Sequence, residues 1–504
     1  MAAARILTMH PGDNVGLCLK PVAAGDALPG GGLAAEPVVP GHKIALRPVA
    51  AGEPLLKYGQ VIGVATAAIA PGQHVHVHNV SADAGGLRGA LGTGRNLEPL
   101  PPRNASFRGY RRASGRVGTR NYVGVLTSVN CSATVARAIA ASFPDAMFAD
   151  GTAVDGVVAL THTTGCGMTP SSEGTDNLRR TLRGYLRHPN FGAVLVIGLG
   201  CEMMQLSGFV DEDEAAREGL ILRTLTIQDE GGTLKSIEAG RAIVREMIAA
   251  IGTLRRTEVS AEHLVLGLQC GGSDGWSGVT ANPALGRAAD LLVAAGGTAI
   301  LSETPEIYGA EQLLFARAES DAVREALQER LDWWADYVAR NGAELNNNPS
   351  PGNIAGGLTT ILEKSLGAVA KSGTSPLRGV YHYGEAIDRP GFVFMDSPGY
   401  DPCSATGQIA AGANVLAFTT GRGSVFGSKP APCIKLASNR AMAERMAEDM
   451  DIDCSPVLGG TTLDEMGGAI FDLILRTASG EKSKSEQLGL GDLEFVPWQM
   501  GAVM

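Results

Sequence analysis

From residue 122 onward the chain alternates short apolar runs with stretches of 3.6-residue periodicity. Apolar runs at 122–129, 156–161, 193–199, 220–226 and 264–268 predict strands. The periodic segments 132–142, 175–186 and 234–251 predict helices between them. The rhythm continues with a helix at 283–295, a strand at 298–302, helices at 311–317 and 321–340, strands at 391–395, 414–419 and 433–436, and a helix at 439–449. Such alternation predicts an α/β class with a mostly parallel sheet and helices on both faces.

Residues 1–95 follow a different pattern. Short apolar stretches at 14–19, 43–49, 60–65 and 74–80 are separated by Pro-Gly and Ala-Gly turn signals, without an amphipathic helix, and predict a small all-β module. The pattern divides the chain into this module, a linker over 96–120, an α/β catalytic domain over 121–345, and residues 346–504 after the turn-rich Asn346–Asn353 stretch. The last part reads as a second α/β domain or the second half of the catalytic one.

A net charge of −10 with scattered Lys and Arg excludes a basic stripe for phosphates, so no nucleic-acid partner is expected. No apolar run approaches 18 residues and no signal-peptide core is visible, so neither a membrane partner nor export is expected and the reading is cytoplasmic. Sixty-seven glycines in 504 residues point to many tight turns. Eight cysteines in a reducing compartment argue against a disulfide framework. Cys18, Cys403, Cys433 and Cys454 read as small buried hydrophobes.

The other four cysteines sit where predicted strands end. Cys131, Cys166 and Cys201 follow one another at about 35 residues, the length of a β-α unit, and Cys270 ends a later strand. The carboxyl ends of parallel strands form the ligand-binding edge of such sheets, so these thiols are candidates for metal binding or chemistry. Cys166 lies in His162-Thr-Thr-Gly-Cys166-Gly, where His162 could bind a metal or serve as general base. Cys201 has Glu202 beside it, and Cys270 is followed by Ser273 and Asp274. Three thiols from three strand ends suit a soft-metal or iron–sulfur site. On a strand, His74, His76 and His78 would share one face at spacings too wide for all three to bind one ion. Gly421-Arg422-Gly423-Ser424 suggests an anion cradle, and Glu363, Lys364 and Lys371 could orient a polar substrate. No P-loop and no dinucleotide fingerprint is present.

Taken together, G-H-K-I-A-L, K-Y-G-Q-V-I-G, H-V-H-V-H-N, R-V-G-T-R-N, H-T-T-G-C-G, G-L-G-C-E, C-G-G-S-D-G-W-S-G, S-P-G-N, E-K-S-L-G and T-T-G-R-G-S resemble the altronate dehydratase/galactarate dehydratase family from about residue 5 to 480. The resemblance implies an amino-terminal SAF-type β-clip module before the catalytic part. It also implies an iron-dependent hydro-lyase that converts a sugar acid to a 2-keto-3-deoxy acid. A related branch, the sulfolactate sulfo-lyases, expels sulfite instead; its module and catalytic part are commonly separate chains, whereas here they are fused. A non-catalytic sugar-acid-binding protein on the same scaffold is the third reading. Carried onto this chain, the family's motif residues are His76, His78 and Asn79, then His162 with Cys166, Cys201 with Glu202, Cys270 with Asp274, Lys364 and Arg422, and Cys131 in V-N-C-S. The resulting expectation is that His162, Glu202, Lys364 and Arg422 are catalytic and that Cys166, Cys201, Cys270, His76 and His78 hold Fe2+, mononuclear or as a cluster. The expected partner is a small sugar acid, and a homo-oligomer is compatible with the sequence.

Overall fold

The computed structural model describes residues 5–82, 100–148 and 152–501. The amino-terminal module is all-β, as its turn-punctuated pattern predicts. Ile6–Leu7, Val15–Cys18, Lys43–Ala45 and His74–Val75 form one antiparallel sheet in that order, and Pro54–Lys57, Gln60–Ala65 and Val80–Ser81 form another. Its core is not self-contained. Val15, Leu55, Ile62 and Val75 belong to one buried cluster with Leu301, Ile307, Leu366 and Phe392 of the large part. Burial of that shared apolar surface fastens the module to the rest of the chain.

Two parallel sheets make up the large part. The first has the order Gly156–Leu160, Tyr122–Thr127, Phe191–Gly198, Ile221–Thr226. The second has seven parallel strands in the order Leu377–Tyr381, Gly391–Met395, Thr298–Leu301, Val265–Cys270, Val415–Thr420, Cys433–Ala437, Ile452–Asp453. Central strands are buried along almost their whole length, which is why they read as continuous apolar runs rather than alternating ones. No helix among the described residues is long and apolar enough to cross a membrane.

Two expected boundaries move. The division near residue 346 falls inside the seven-stranded sheet; the sheets change between Thr226 and Val265. The turn-rich 346–353 stretch is an insertion between strands of one sheet, and local composition cannot separate that from a domain boundary. Residues 96–99 of the expected linker lie outside the described residues. Within the remainder, Ser106–Arg111 and Val117–Gly118 are strands that form a third small sheet with Thr257–Ser260. Ser106–Arg111 pairs locally with Val117–Gly118, but its longer partner, Thr257–Ser260, is distant in sequence, so the segment looks structureless by itself. Just beyond it, the buried Arg120 guanidinium grips both oxygens of Glu486, at 2.6 and 2.7 Å, tying the start of the first α/β sheet to the carboxy-terminal region.

Each sheet reverses its winding once. In the seven-stranded sheet the crevice opens between Val265–Cys270 and Val415–Thr420; in the four-stranded sheet it opens between Tyr122–Thr127 and Phe191–Gly198. Such switch points, at the carboxyl ends of the strands, are where open α/β sheets bind ligands.

Candidate functional site

The loops at the larger switch point are laced together. Gly272 O accepts from Gly421 N at 3.1 Å and Arg422 N at 2.8 Å, and Gly271 N donates to Thr419 O at 3.1 Å. Asp274 brackets them: Oδ1 accepts from Ser277 N, Ser277 Oγ and Ser438 Oγ, each at 2.9 Å, and Oδ2 from Asn439 Nδ2 at 2.9 Å. A Cβ at Gly421 would stand 2.1 Å from the Asp274 carboxyl carbon, so only glycine admits the bracket there. Arg422 is exposed beside this crevice.

Beneath the same edge lies a buried cluster of charges. Cys270 Sγ accepts from Lys371 Nζ at 2.9 Å and lies 3.6 Å from Glu306 Oε2. Lys364 Nζ donates to Glu306 Oε1 at 2.8 Å and to Asn348 Oδ1 at 2.6 Å. Glu303, held at a left-handed φ of 73°, has neither carboxyl oxygen in a hydrogen bond, with Lys371 Nζ at 3.9 Å. The environments push these groups apart. Burial raises the Cys270 thiol to about 12 and drives Glu303 far above the carboxylate range. Burial would raise Glu306 too, but Lys364 and Lys371 overcome it and hold the carboxylate ionised. Asp401, at the rim, is lifted to about 7 by burial and by the negative Glu306. A carboxyl group tuned to neutrality is what proton transfer at neutral pH requires.

The β module brings a second cluster to this edge. His42 Nδ1 lies 3.0 Å from His74 Nε2, His42 Nε2 lies 3.3 Å from Ala355 O, and the His74 and His76 rings stack 5.2 Å apart. One ring nitrogen from each of His42, His74 and His76 falls within 4.8 Å of the others. Burial lowers all three imidazoles, His74 and His76 to about 4, so they are neutral and their nitrogens can donate to a metal. His76 Nδ1 is buried without a hydrogen-bond partner. The helix Ile361–Ala370 connects the clusters: Glu363 accepts from Lys43 Nζ at 2.8 Å and Lys57 Nζ at 2.9 Å of the module, while the next residue, Lys364, reaches Glu306.

The expected site is thereby redrawn. The strand ends at Val75 and the chain turns, with Asn79 Nδ2 donating to His74 O at 2.9 Å. That turn brings His76 back beside His74, so the strand spacing does not apply. His78 is exposed and outside the trio; His42, carried in G-H-K-I-A-L, takes its place. Cys166 and Cys201 do not join Cys270: they are exposed on the four-stranded sheet, and Cys270 is buried in the seven-stranded one. His162 has both ring nitrogens engaged, Nε2 with Thr127 O at 3.0 Å and Nδ1 with Thr164 Oγ1 at 2.9 Å, and burial lowers it to about 4. Saturated in this way, it organises a loop and has no nitrogen left for a substrate proton. Glu202 is likewise spent on Ser128 Oγ, Leu199 N and Gly200 N. Lys364 and Lys371, at the middle and the end of the helix Ile361–Ala370, stand in the charged cluster as candidates from the sequence; Glu303, Glu306 and Asp401, which complete it, come from a strand end and a helix start that carry no local motif.

Comparison with known proteins agrees along the whole length. Models of the D-galactarate/altronate dehydratase carboxy-terminal domain, the second domain and the SAF domain of the same enzymes match residues 261–503, 109–252 and 4–83. The chain belongs to the altronate/galactarate dehydratase family. It is 36% identical to altronate dehydratase of Escherichia coli over 95% of this chain and 96% of that one. It is 36% identical to the galactarate dehydratase (L-threo-forming) of the same organism over 96% and 95%. The (2R)-sulfolactate sulfo-lyase subunit beta of Chromohalobacter salexigens is 35% identical over 78% of this chain and 96% of its own. The family's domain limits coincide with the change of sheets described above.

Proposed function

We propose that this chain is a sugar-acid hydro-lyase that removes water from an altronate- or galactarate-like acid to give a 2-keto-3-deoxy acid. The observation that carries the reading is the rim of the larger switch point. There a carboxyl tuned to about neutral pH, Asp401, shares a charge cluster with the cation of Lys364. Dehydration of a 2,3-dihydroxy acid removes a weakly acidic proton next to a carboxylate and expels hydroxide from the neighbouring carbon. That demands positive charge where the enediolate forms and a group that can exchange a proton. Lys364, the less buried lysine, orients the substrate carboxylate, and the Asp401 carboxyl exchanges the proton. Glu303, Glu306, Cys270 and Lys371 beneath them set the field that tunes both.

The donor set of His42, His74 and His76 fits ferrous iron: three neutral imidazoles, one with an orphaned buried nitrogen, and the nearby Lys43 cation already paired with Glu363 at 2.8 Å. Cys270, Glu303 and Glu306 also come within 4.8 Å of one another, but Lys371 and Lys364 already neutralise that group and would repel a metal ion. Iron held by the imidazoles would act as a Lewis acid on developing oxyanion charge. The module also docks on this edge, since Lys43 Nζ donates to Gly357 O at 2.6 Å.

The test is to assay iron-loaded protein against altronate, galactarate and sulfolactate with keto-acid and sulfite detection. Keto-acid formation without sulfite is the expected result. Sulfite release from sulfolactate alone would replace the reading with a carbon–sulfur lyase, and turnover of none of the three would reject it.

A further inference from the structure

We infer that Cys131, Cys166 and Cys201 form a three-thiolate cradle for an iron–sulfur cluster at the switch point of the four-stranded sheet, a site separate from the imidazole trio and from the Cys270 group. Cys131 and Cys201 lie just past the ends of Tyr122–Thr127 and Phe191–Gly198, the two strands that flank the crevice. Cys166 follows Gly156–Leu160, which pairs with the first of them on its other side. All three thiols are exposed, unlike the other five, which are buried.

The loops that carry them are locked to one another by groups that otherwise lack a task. Glu202 binds Ser128 Oγ at 2.6 Å and Gly200 N at 2.6 Å, clamping the Cys131 loop to the Cys201 loop. His162 Nε2 meets Thr127 O, Asn130 Nδ2 donates to His162 O at 3.1 Å, and Asn130 N donates to Thr164 O at 3.0 Å, clamping the Cys131 loop to the Cys166 loop. Met204 N donates to Gly165 O at 3.0 Å and closes the ring of three. Gly165, at a φ of 100°, lies so close that a Cβ would stand 2.2 Å from Ser128 O; any other residue would push the Cys166 loop away. Fixed loops presenting three exposed thiols are a preorganised ligand set.

The sulfurs are not all within 4.8 Å of one another, as donors to a single ion would be. A cluster takes a wider spread, because each thiolate binds a different iron corner, and thiolate softness selects iron–sulfur chemistry. Three protein thiolates on a four-iron cluster leave one iron without a protein ligand, accessible from solvent.

The test uses the full-length chain reconstituted without oxygen from ferrous iron and sulfide, then desalted. About four irons and four acid-labile sulfides per chain, with cluster absorption and a Mössbauer signature, are expected. Cys131→Ser, Cys166→Ser and Cys201→Ser should each lose most of the labile sulfide, and Cys270→Ser should keep it, with circular dichroism reporting the fold of every variant. Absence of labile sulfide in the parent protein, a disulfide among these cysteines in its place, or unchanged sulfide in the triple variant would overturn the inference. The readout is cluster content rather than turnover, so it stands or falls independently of the dehydratase assignment.

Discussion

The two parallel sheets use the same topological device and furnish it with opposite chemistry. At the seven-stranded switch point the chain buries its thiol, Cys270, against a lysine and two glutamates, and the low dielectric there spreads the proton affinities of neighbouring groups. At the four-stranded switch point three thiols face solvent, and the buried ionisable groups, His162 and Glu202, are consumed by loop clamps. Burial with incomplete pairing shifts proton affinities; exposure on a braced loop leaves thiols accessible. A winding reversal selects the place, and the side chains that reach it select the task.

The largest effects are expected where charge is buried. Asp401→Asn removes the group tuned to about 7 and should lower kcat by about 10²–10⁴-fold, the usual range for loss of a general acid–base residue. The kcat/KM profile of the parent should bend near pH 7, and that bend should vanish in the residual activity of the variant. Stability carries the same group. Its folded pKa lies above the ordinary 3.8, so between about pH 4 and 7 the native state binds more protons than the unfolded chain, and this contribution to stability falls as pH rises. Urea unfolding across that window should show the slope flatten in Asp401→Asn.

Next is the charge triad that ties the module to the larger sheet. Glu363→Ala leaves Lys43 and Lys57 buried without their anion, which costs about 3–5 kcal/mol. Glu363→Gln keeps the shape and part of the hydrogen bonding and should lose less. The comparison breaks if denaturant midpoints show that both substitutions cost the same, because the triad would then be packing rather than charge.

Much of this division was legible in the chain. Strands such as Gly391–Met395 and the helix Asp321–Arg340 occupy the limits their periodicity predicts, since apolar runs and amphipathic stripes are local signals. Asp401–Ala411 was not, because it is buried on nearly every side and has no polar stripe to set a period. Leu463–Ala478 could have been found, for Thr462 and Glu465 form a capping box at its start. The strand-end thiols are visible as a spacing, yet spacing cannot tell which sheet a strand joins, so it groups Cys270 with thiols of another sheet. His42 was hidden for the same reason: the turn after Val75 and the pairing of Lys43–Ala45 with His74–Val75 bring it to His74 and His76. Asp401, Glu303 and Glu306 became visible only through burial, which no single position declares.

The histidine trio proposed to hold iron offers an intermediate test. His74→Ala should lower iron affinity by more than the roughly 10–100-fold typical of losing an outer-shell partner, read by metal analysis after dialysis, because it removes one of three imidazoles as well as the 3.0 Å contact that orients His42. His78→Ala, exposed and outside the trio although its ring lies 5.6 Å from that of His74, should retain iron as the parent does. Equal losses in both would return His78 to the ligand set.

The smallest effect separates the two sheets most cleanly. Cys131→Ser and Cys201→Ser exchange exposed thiols for hydroxyls of nearly the same size, without opening a cavity or orphaning a buried partner, so each should shift apo stability by no more than about 0.5 kcal/mol. Cys270→Ser should cost more, because its sulfur is fully buried against Lys371 and the shorter C–O bond pulls the acceptor away from that cation. Thermal melts of the metal-free variants check the contrast. A loss at Cys131 or Cys201 as large as at Cys270 would mean that these thiols support the fold, and a difference in the expected direction would leave them free for ligand binding.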